Sequence, residues 1–358
     1  MTVPIPGRSY EVTIGSGVLG RAAQEIPELA SASTAFVVSD AVVSERWFGP
    51  LSDALSSAGV PTVLLIVPAG EEAKSLQAYG SLLRQLASRA AHRDDPVLAL
   101  GGGAVGDLAG FVASTYMRGV PFVQVPTTLT AQIDAAIGGK TAVNLPEGKN
   151  LVGTFSQPRA VLADLDVLGT LDERAYRSGL AEMAKVALTL DAALLERLES
   201  DPGPILARDP AALEEAIARC VTAKARAVAD DERDTGARLI LNYGHTLGHA
   251  LERLDGFAGR THGEAVAVGM VFAARLAEAR GAAAGLASRT ARLLAGLGLD
   301  AGGALPPADE VLAALRLDKK YRRGVRFVLL DDVGRPRVVD DVTDDEVRAV
   351  LEDMGVPA

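Results

Sequence analysis

Short apolar runs that end abruptly in polar residues, glycine or proline mark the first half of the chain. Runs at 35–40, 63–67, 97–100 and 122–125 end at Asp40, Pro68-Ala69-Gly70, Gly101-Gly102-Gly103 and Pro126. Unbroken apolar runs of this length suit strands buried on both faces, as in a parallel sheet. The segments between them, such as 75–91, carry apolar residues at helical spacing. Strands alternating with helices predict a doubly wound α/β domain. In the second half, 180–198, 210–230, 239–254 and 263–280 are long, rich in Ala, Leu, Glu and Arg, and helical in period. Strand patterning returns only at 325–330 and 336–339, which flank 331–335 and predict a late hairpin. The pattern therefore predicts an α/β N-terminal domain with a parallel sheet over 1–166 and a mainly α-helical C-terminal domain over 167–358, packed closely around a cleft.

Composition narrows the function. The 358 residues suit about two domains. Lys+Arg number 36 against 46 Asp+Glu, a net charge of −10. That balance argues against nucleic acid as a partner, because such binding rests on cations placed against phosphates. It does not forbid an anionic substrate, since a pocket can be locally basic on an acidic surface. One cysteine, Cys220, excludes a disulfide framework and a Cys-based zinc finger. No run approaches the roughly 20 apolar residues of a membrane span, and the N-terminus shows no basic segment leading into an apolar one. A cytoplasmic enzyme is the expectation.

Four features carry chemistry. Gly101, Gly103 and Gly106 form a G-x-G-x-x-G between a predicted strand and a predicted helix, where backbone N–H groups approach a pyrophosphate. The motif follows the third apolar run rather than the first, unlike an ordinary dinucleotide fingerprint. Asp40 suits either ribose hydroxyls or a helix N-cap. Gly138-Gly139-Lys140 and Gly148-Lys149-Asn150 place two Gly-Lys pairs in a loop-like stretch, an arrangement that suits phosphate without being a Walker A loop. Three of the four histidines fall within 245–262. His245 and His249 stand four apart on a predicted helix with Asn242 one turn earlier, so spacing nominates His245 and His249 as a zinc pair, with His262 following in a loop. Lys185, Lys224, Arg238, Lys319 and Lys320 are cations that, if they converge, suit a substrate with both carboxylate and phosphate. His92, Trp47 and Cys220 read as surface, packing and inert buried residues.

Longer motifs in one order give the chain a resemblance. They are GGGAVGDLAGF from Gly101, VPTTL from Val125, GGKTAVN from Gly138, GKN from Gly148, GLAE from Gly179 with Lys185, LNYGHTLGHA from Leu241, HGE from His262 and DKK from Asp318. Together they resemble the sugar phosphate cyclases, and among them the 3-dehydroquinate synthase family, over about residues 8–330. The resemblance implies an NAD-binding α/β domain, a helical domain holding one zinc (or cobalt) ion, and a homodimer. It assigns the metal to Glu182, His245 and His262 and turns His249 toward the substrate, in place of the pairing by spacing. For NAD it implies Asp40, Glu71, Lys74, Gly103, Ala104, Val105, Gly106, Asp107, Thr127, Thr128, Lys140, Lys149, Val167, Leu168, Gly169 and Thr170. For substrate it implies Asp134, Lys140, Asn150, Lys185, Lys224, Arg238, Asn242, His249, a lysine of the Lys319–Lys320 pair (Lys320 preferred), and Arg118 reaching across a dimer interface.

The implied reaction converts 3-deoxy-D-arabino-heptulosonate 7-phosphate to 3-dehydroquinate and phosphate, by transient oxidation with NAD, phosphate elimination, reduction and aldol cyclisation. The chain departs from the family pattern at Ala135 and Ala136, where serines are usual. It departs again at Leu145, where histidine is common, and at Ser156, where an aromatic is common. These positions bear on substrate identity and keep an aminodehydroquinate synthase, or another pathway-specific cyclase, in view. An NAD-dependent polyol dehydrogenase is the reading from a different class; net NADH accumulation would separate it.

Overall fold

A computed structural model describes residues 1–234, 236–256, 259–316 and 325–356. The chain forms two compact units, Met1–Leu171 with Pro210–Arg233, and Asp172–Asp209 with Asp234–Ala358. A single cut at 166/167 therefore differs from this division at two segments, 167–171 and 210–233. The helix Pro210–Asp230 belongs with the first unit, where it packs on β2 and on the turn Ala131–Ala135. Its period announces an amphipathic helix but not which core receives the apolar face.

The strands of the first unit are β1 (Thr2–Val3), β2 (Tyr10–Gly15), β3 (Ala35–Asp40), β4 (Thr62–Val67), β5 (Val97–Gly101), β6 (Phe122–Pro126), β7 (Lys140–Leu145), β8 (Gly148–Phe155) and β9 (Ala160–Asp164). Seven form one sheet in the order β1-β2-β9-β6-β5-β3-β4. Only β1 and β2 pair antiparallel; the other neighbours are parallel. β3, β5, β6 and β9 are buried along their whole length, in keeping with their mostly apolar runs. From β3 the chain runs outward to the edge strand β4, then returns to β5 on the other side of β3. Ligands of open α/β sheets bind in the crevice at the carboxyl ends of strands where connections diverge in this way. Asp40 closes β3 there and Gly101 closes β5.

The helix Gly103–Thr115 follows at once and lies tight on the sheet. A Cβ on Gly106 would stand 2.7 Å from Gln124 Oε1, and one on Gly110 would stand 2.4 Å from the Thr141 side chain. The third glycine of the motif thus serves helix–sheet contact rather than a turn. The Gly-Lys stretch expected as a loop is instead the antiparallel hairpin β7–β8. Side chains of β8 are exposed or half-exposed on both faces, which hides the strand from an apolar count.

The second unit is mainly helical, with the expected late hairpin from β10 (Val325–Leu330) and β11 (Pro336–Val342). Its central helix, His262–Ala279, is buried on nearly all sides and packs on helices Glu173–Thr189, His245–Leu254 and Leu286–Gly296. Three expectations change here. The run 180–198 divides into Glu173–Thr189 and Ala192–Ser200, because Asp191 caps the second helix by accepting from the Leu194 N–H at 3.0 Å. The run 239–254 divides into a 3₁₀ turn, Ala237–Asn242, and the helix His245–Leu254, broken at Gly244 in the left-handed region (φ +78°). Asn242 therefore does not share a helix with His245 and His249. Finally, His262 is not in a loop: it is the first residue of its helix. Among the described residues no helix is long and apolar enough to cross a membrane.

Candidate active site

Three helices of the second unit bring one carboxylate and two imidazoles together. Glu182 lies on the helix Glu173–Thr189, 1% exposed. The Gly244 break makes His245 a first-turn residue. Thr261 caps the third helix: its hydroxyl accepts from the Glu264 N–H, and the Glu264 carboxylate accepts from the Thr261 N–H. This capping box fixes His262 at the first helical position. Glu182 Oε1 lies 3.4 Å from His245 Nε2 and 3.3 Å from His262 Nε2. The ligand atoms of the three residues fall within 4.8 Å of one another.

The proton arrangement shows what this cluster is suited to hold. His245 Nδ1 lies 3.1 Å from the Tyr243 carbonyl, which can only accept, so Nδ1 donates and Nε2 presents a lone pair. Burial, with Lys185 adding to it, holds the His245 pKa well below its usual value, so the ring is neutral. Burial alone would raise the Glu182 pKa, but Lys185 and the two histidines hold it well below the usual carboxylate range. Lys185, itself 1% exposed, pairs with Glu182 Oε2. The other oxygen, Oε1, is buried with no hydrogen-bond partner among the described residues. A carboxylate oxygen and an imidazole lone pair facing each other repel unless a cation stands among them. Two imidazole nitrogens and a carboxylate oxygen are a three-ligand zinc set when both rings are neutral. For His262, burial opposes charge, yet hydrogen bonds to Glu182 and Glu252 push its pKa up to about 10, so a zinc ion would displace a proton from this ring on binding.

His249 is exposed, its ring 5.3 Å from that of His245 and 6.2 Å from that of His262. Its ligand atom groups with Glu252 and His262, not with His245 and Glu182. The pairing of His245 with His249 by spacing is thus not the cluster that forms. Arg238 is 2% exposed on the 3₁₀ turn, and Asn242 Nδ2 donates to the Leu239 carbonyl at 2.9 Å.

In the first unit the glycine motif opens a helix whose N-cap, Gly102, offers no side-chain cap. Its first N–H groups are free to meet an anion. A Cβ on Gly103 would lie 3.1 Å from Ala135 Cβ, so the absence of a side chain here lets the helix start pack on the turn Ala131–Ala135. The Thr127 N–H donates to the Gly101 carbonyl at 2.9 Å, while the Thr127 hydroxyl is buried with no partner among the described residues. That orphaned hydroxyl beside an open helix end fits a polar ligand. Thr128 instead accepts from the Ala131 N–H at 3.1 Å. Asp40 caps the helix Ala41–Ser57 with one oxygen, accepting from the Val43 N–H at 3.0 Å.

A polar network surrounds Lys74, 5% exposed, which donates to Asp107 Oδ2 at 2.5 Å and to Asn150 Oδ1. Burial raises the Asp107 pKa against the pull of Lys74. Asn144 donates to Glu71 at 2.7 Å and accepts from the Asn150 N–H at 2.9 Å, and Lys149 lies 3.9 Å from Glu71. Lys224 donates to Asp134 Oδ1 at 2.6 Å. Lys140 is exposed at the start of β7. In the turn Asp166–Thr170, Val167 and Leu168 are buried and Gly169 and Thr170 are exposed; Trp47 donates to the Thr170 hydroxyl at 3.1 Å.

Arg118 is exposed, in the left-handed region (φ +68°), just beyond the helix Gly103–Thr115. A 13-residue helix spans about 20 Å. Arg118 is therefore remote from the glycine motif of its own chain. Lys319 and Lys320 lie outside the described residues. The residues the sequence reading missed are Asn144 and Glu252. Glu252 stands three after His249, a spacing that puts both on one helix face.

The family model for the 3-dehydroquinate synthase N-terminal domain matches residues 64–178, and that for the C-terminal domain matches 179–321. The 3-dehydroquinate synthase of Geobacter metallireducens is 45% identical over 93% of each chain. A crystal structure of 2-deoxy-scyllo-inosose synthase complexed with carbaglucose-6-phosphate, NAD+ and Co2+ superposes with a TM-score of 0.90, at 30% identity over 99% of each chain. A 2-epi-5-epi-valiolone synthase from Streptomyces hygroscopicus with NAD+ and Zn2+ bound gives 0.88, at 31% identity over 97% of this chain and 96% of that one. An iron-containing alcohol dehydrogenase from Thermotoga maritima, at 16% identity and TM-score 0.68 over 97% and 98% of the two chains, shares the fold alone.

Proposed function

The chain belongs to the 3-dehydroquinate synthase family of phosphate-eliminating lyases, and from that premise we propose how its own residues divide the work of making 3-dehydroquinate and phosphate from 3-deoxy-D-arabino-heptulosonate 7-phosphate. Glu182, His245 and His262 hold zinc. The observation that carries this is the buried, unpartnered Glu182 Oε1 faced by two imidazole nitrogens. The backbone N–H groups of Gly103, Ala104 and Val105 and the Thr127 hydroxyl receive the NAD pyrophosphate, the Gly106 N–H being held by the Gly102 carbonyl, with Asp40, Glu71, Lys74, Gly106, Asp107, Thr128, Lys140, Lys149 and the turn 167–170 around the rest of the cofactor. When bound, NAD supplies a reversible hydride acceptor and zinc a Lewis acid.

The remaining work is orientation, because one flexible molecule must be held through several steps. Lys224 and Arg238 hold the carboxylate; Asn150, His249 and Arg118 of the partner subunit hold the phosphate. Asp134, Lys140, Lys185, Asn242 and Lys320 complete the substrate contacts. Lys185 also balances the buried charge of Glu182, so the ligand oxygen keeps its charge without a proton. The relation to the iron-containing dehydrogenases supports no net oxidation here, since it extends to the fold alone.

The remoteness of Arg118 from its own glycine motif supports a shared site in a homodimer. Arg118→Ala and His262→Ala variants, each inactive alone, are expected to recover activity when unfolded and refolded together. Half the dimers would be hybrids with one complete site, giving roughly a quarter of wild-type turnover. No recovery from a mixture shown by size to contain dimers contradicts a cross-subunit Arg118. Activity of protein stripped of NAD is expected to vanish and to return on adding NAD; full activity without it contradicts the cofactor assignment.

A further inference from the structure

The metal reading accounts for one face of His262 and leaves the other unexplained. The Nδ1 side of the ring faces Glu252 Oε2 at 3.4 Å. Glu252 is a carboxylate only 7% exposed, on the helix His245–Leu254. A buried charge of this kind is costly unless it is paired. The carboxylate is turned inward, toward a histidine that starts a different helix.

We propose that Glu252 is a positioning residue for the metal: it accepts the Nδ1 proton of His262, fixes that tautomer, and so holds Nε2 as a lone pair aimed at the ion shared with Glu182 and His245. The inference rests on the zinc assignment given above. His245 has the same arrangement in neutral form, with Nδ1 committed to the Tyr243 carbonyl at 3.1 Å. The two histidine ligands are thus each steered from behind, one by a carbonyl and one by a carboxylate. The carboxylate also raises the basicity of its imidazole and compensates the charge of a divalent ion beside Lys185. Outer partners of metal-bound histidines contribute about 10- to 100-fold in metal affinity.

The test is zinc affinity by competition with a chelator of known affinity, with Co2+ absorption spectra of the same proteins. Glu252→Gln preserves shape and can still accept from Nδ1 but lacks the charge; Glu252→Ala lacks both. The expected result is zinc affinity about 10- to 100-fold weaker, larger for Ala than for Gln, with one ion per chain throughout, an altered Co2+ spectrum and unchanged NAD affinity. A Gln variant that folds with wild-type zinc affinity and spectrum overturns the proposal. So does a stoichiometry that falls from two ions to one, because Glu252, His249 and His262 also lie within 4.8 Å of one another and Glu252 would then be a direct ligand of a second ion. Wild-type protein that takes up no zinc overturns the metal assignment itself, an outcome distinct from wild-type affinity in the variants.

Discussion

Replacing His262 by alanine is expected to release the zinc and to abolish turnover. Two ligands would remain, Glu182 and His245, neither able to close a site alone. If about 10 kcal/mol of zinc affinity is divided among three ligands, loss of one weakens binding on the order of 10²- to 10³-fold. The fold should survive, because alanine is well tolerated at a first helical position and the Thr261–Glu264 capping box does not use the imidazole. Metal content after dialysis and kcat/KM on the same preparation check this together. One zinc per chain in the variant would remove His262 from the ligand set, whatever the activity.

Gly263→Ala should be as damaging by another route. A Cβ at Gly263 would stand 2.1 Å from the Ser178 carbonyl oxygen and 2.5 Å from Ser178 Cα. Those are backbone atoms of the helix that carries Glu182, and they cannot swing aside as a side-chain tip can. The Gly263 N–H also donates to Ser178 Oγ at 2.9 Å, and the shift needed to admit a methyl would stretch that bond. Overpacking usually costs 1–3 kcal/mol and more where backbone must move. About 3 kcal/mol lowers Tm by roughly 6–12 °C in a domain of this size. Because the same displacement moves His262 away from Glu182, zinc affinity should fall with Tm. A variant that melts within about 2 °C of wild type with full zinc affinity contradicts this account of how the two helices set the site.

Much of the architecture could be read from the chain because burial and periodicity point the same way. β5 is apolar throughout, β3 up to Ser39 and β6 apart from Gln124, and runs of this kind suit strands buried on both faces. The breaks that shape the site were harder to see. Apolar spacing continues through 239–254 because the 3₁₀ turn before Gly244 is also buried, so a left-handed glycine divides the segment without disturbing its pattern. The hairpin β7–β8 has no continuous apolar face and was masked by its Gly-Lys pairs. Among candidate site residues, His245 and His262 come together although they start different helices, a relation that no local spacing carries. Glu182 emerged from its motif, since a glutamate in an Ala/Leu-rich helix otherwise reads as a solvated charge. Glu252 passed unnoticed for the same reason, and only its burial against His262 sets it apart.

The most direct test of the central claim is a complete balance on zinc-loaded protein given NAD and 3-deoxy-D-arabino-heptulosonate 7-phosphate. Phosphate, 3-dehydroquinate and net NADH would be followed in one reaction. The account predicts phosphate and 3-dehydroquinate in equal amounts over many turnovers, with no net NADH. Net NADH accumulating with substrate loss, or no turnover of this substrate while the amino analogue releases phosphate, would contradict it and direct attention to Ala135, Ala136, Leu145 and Ser156.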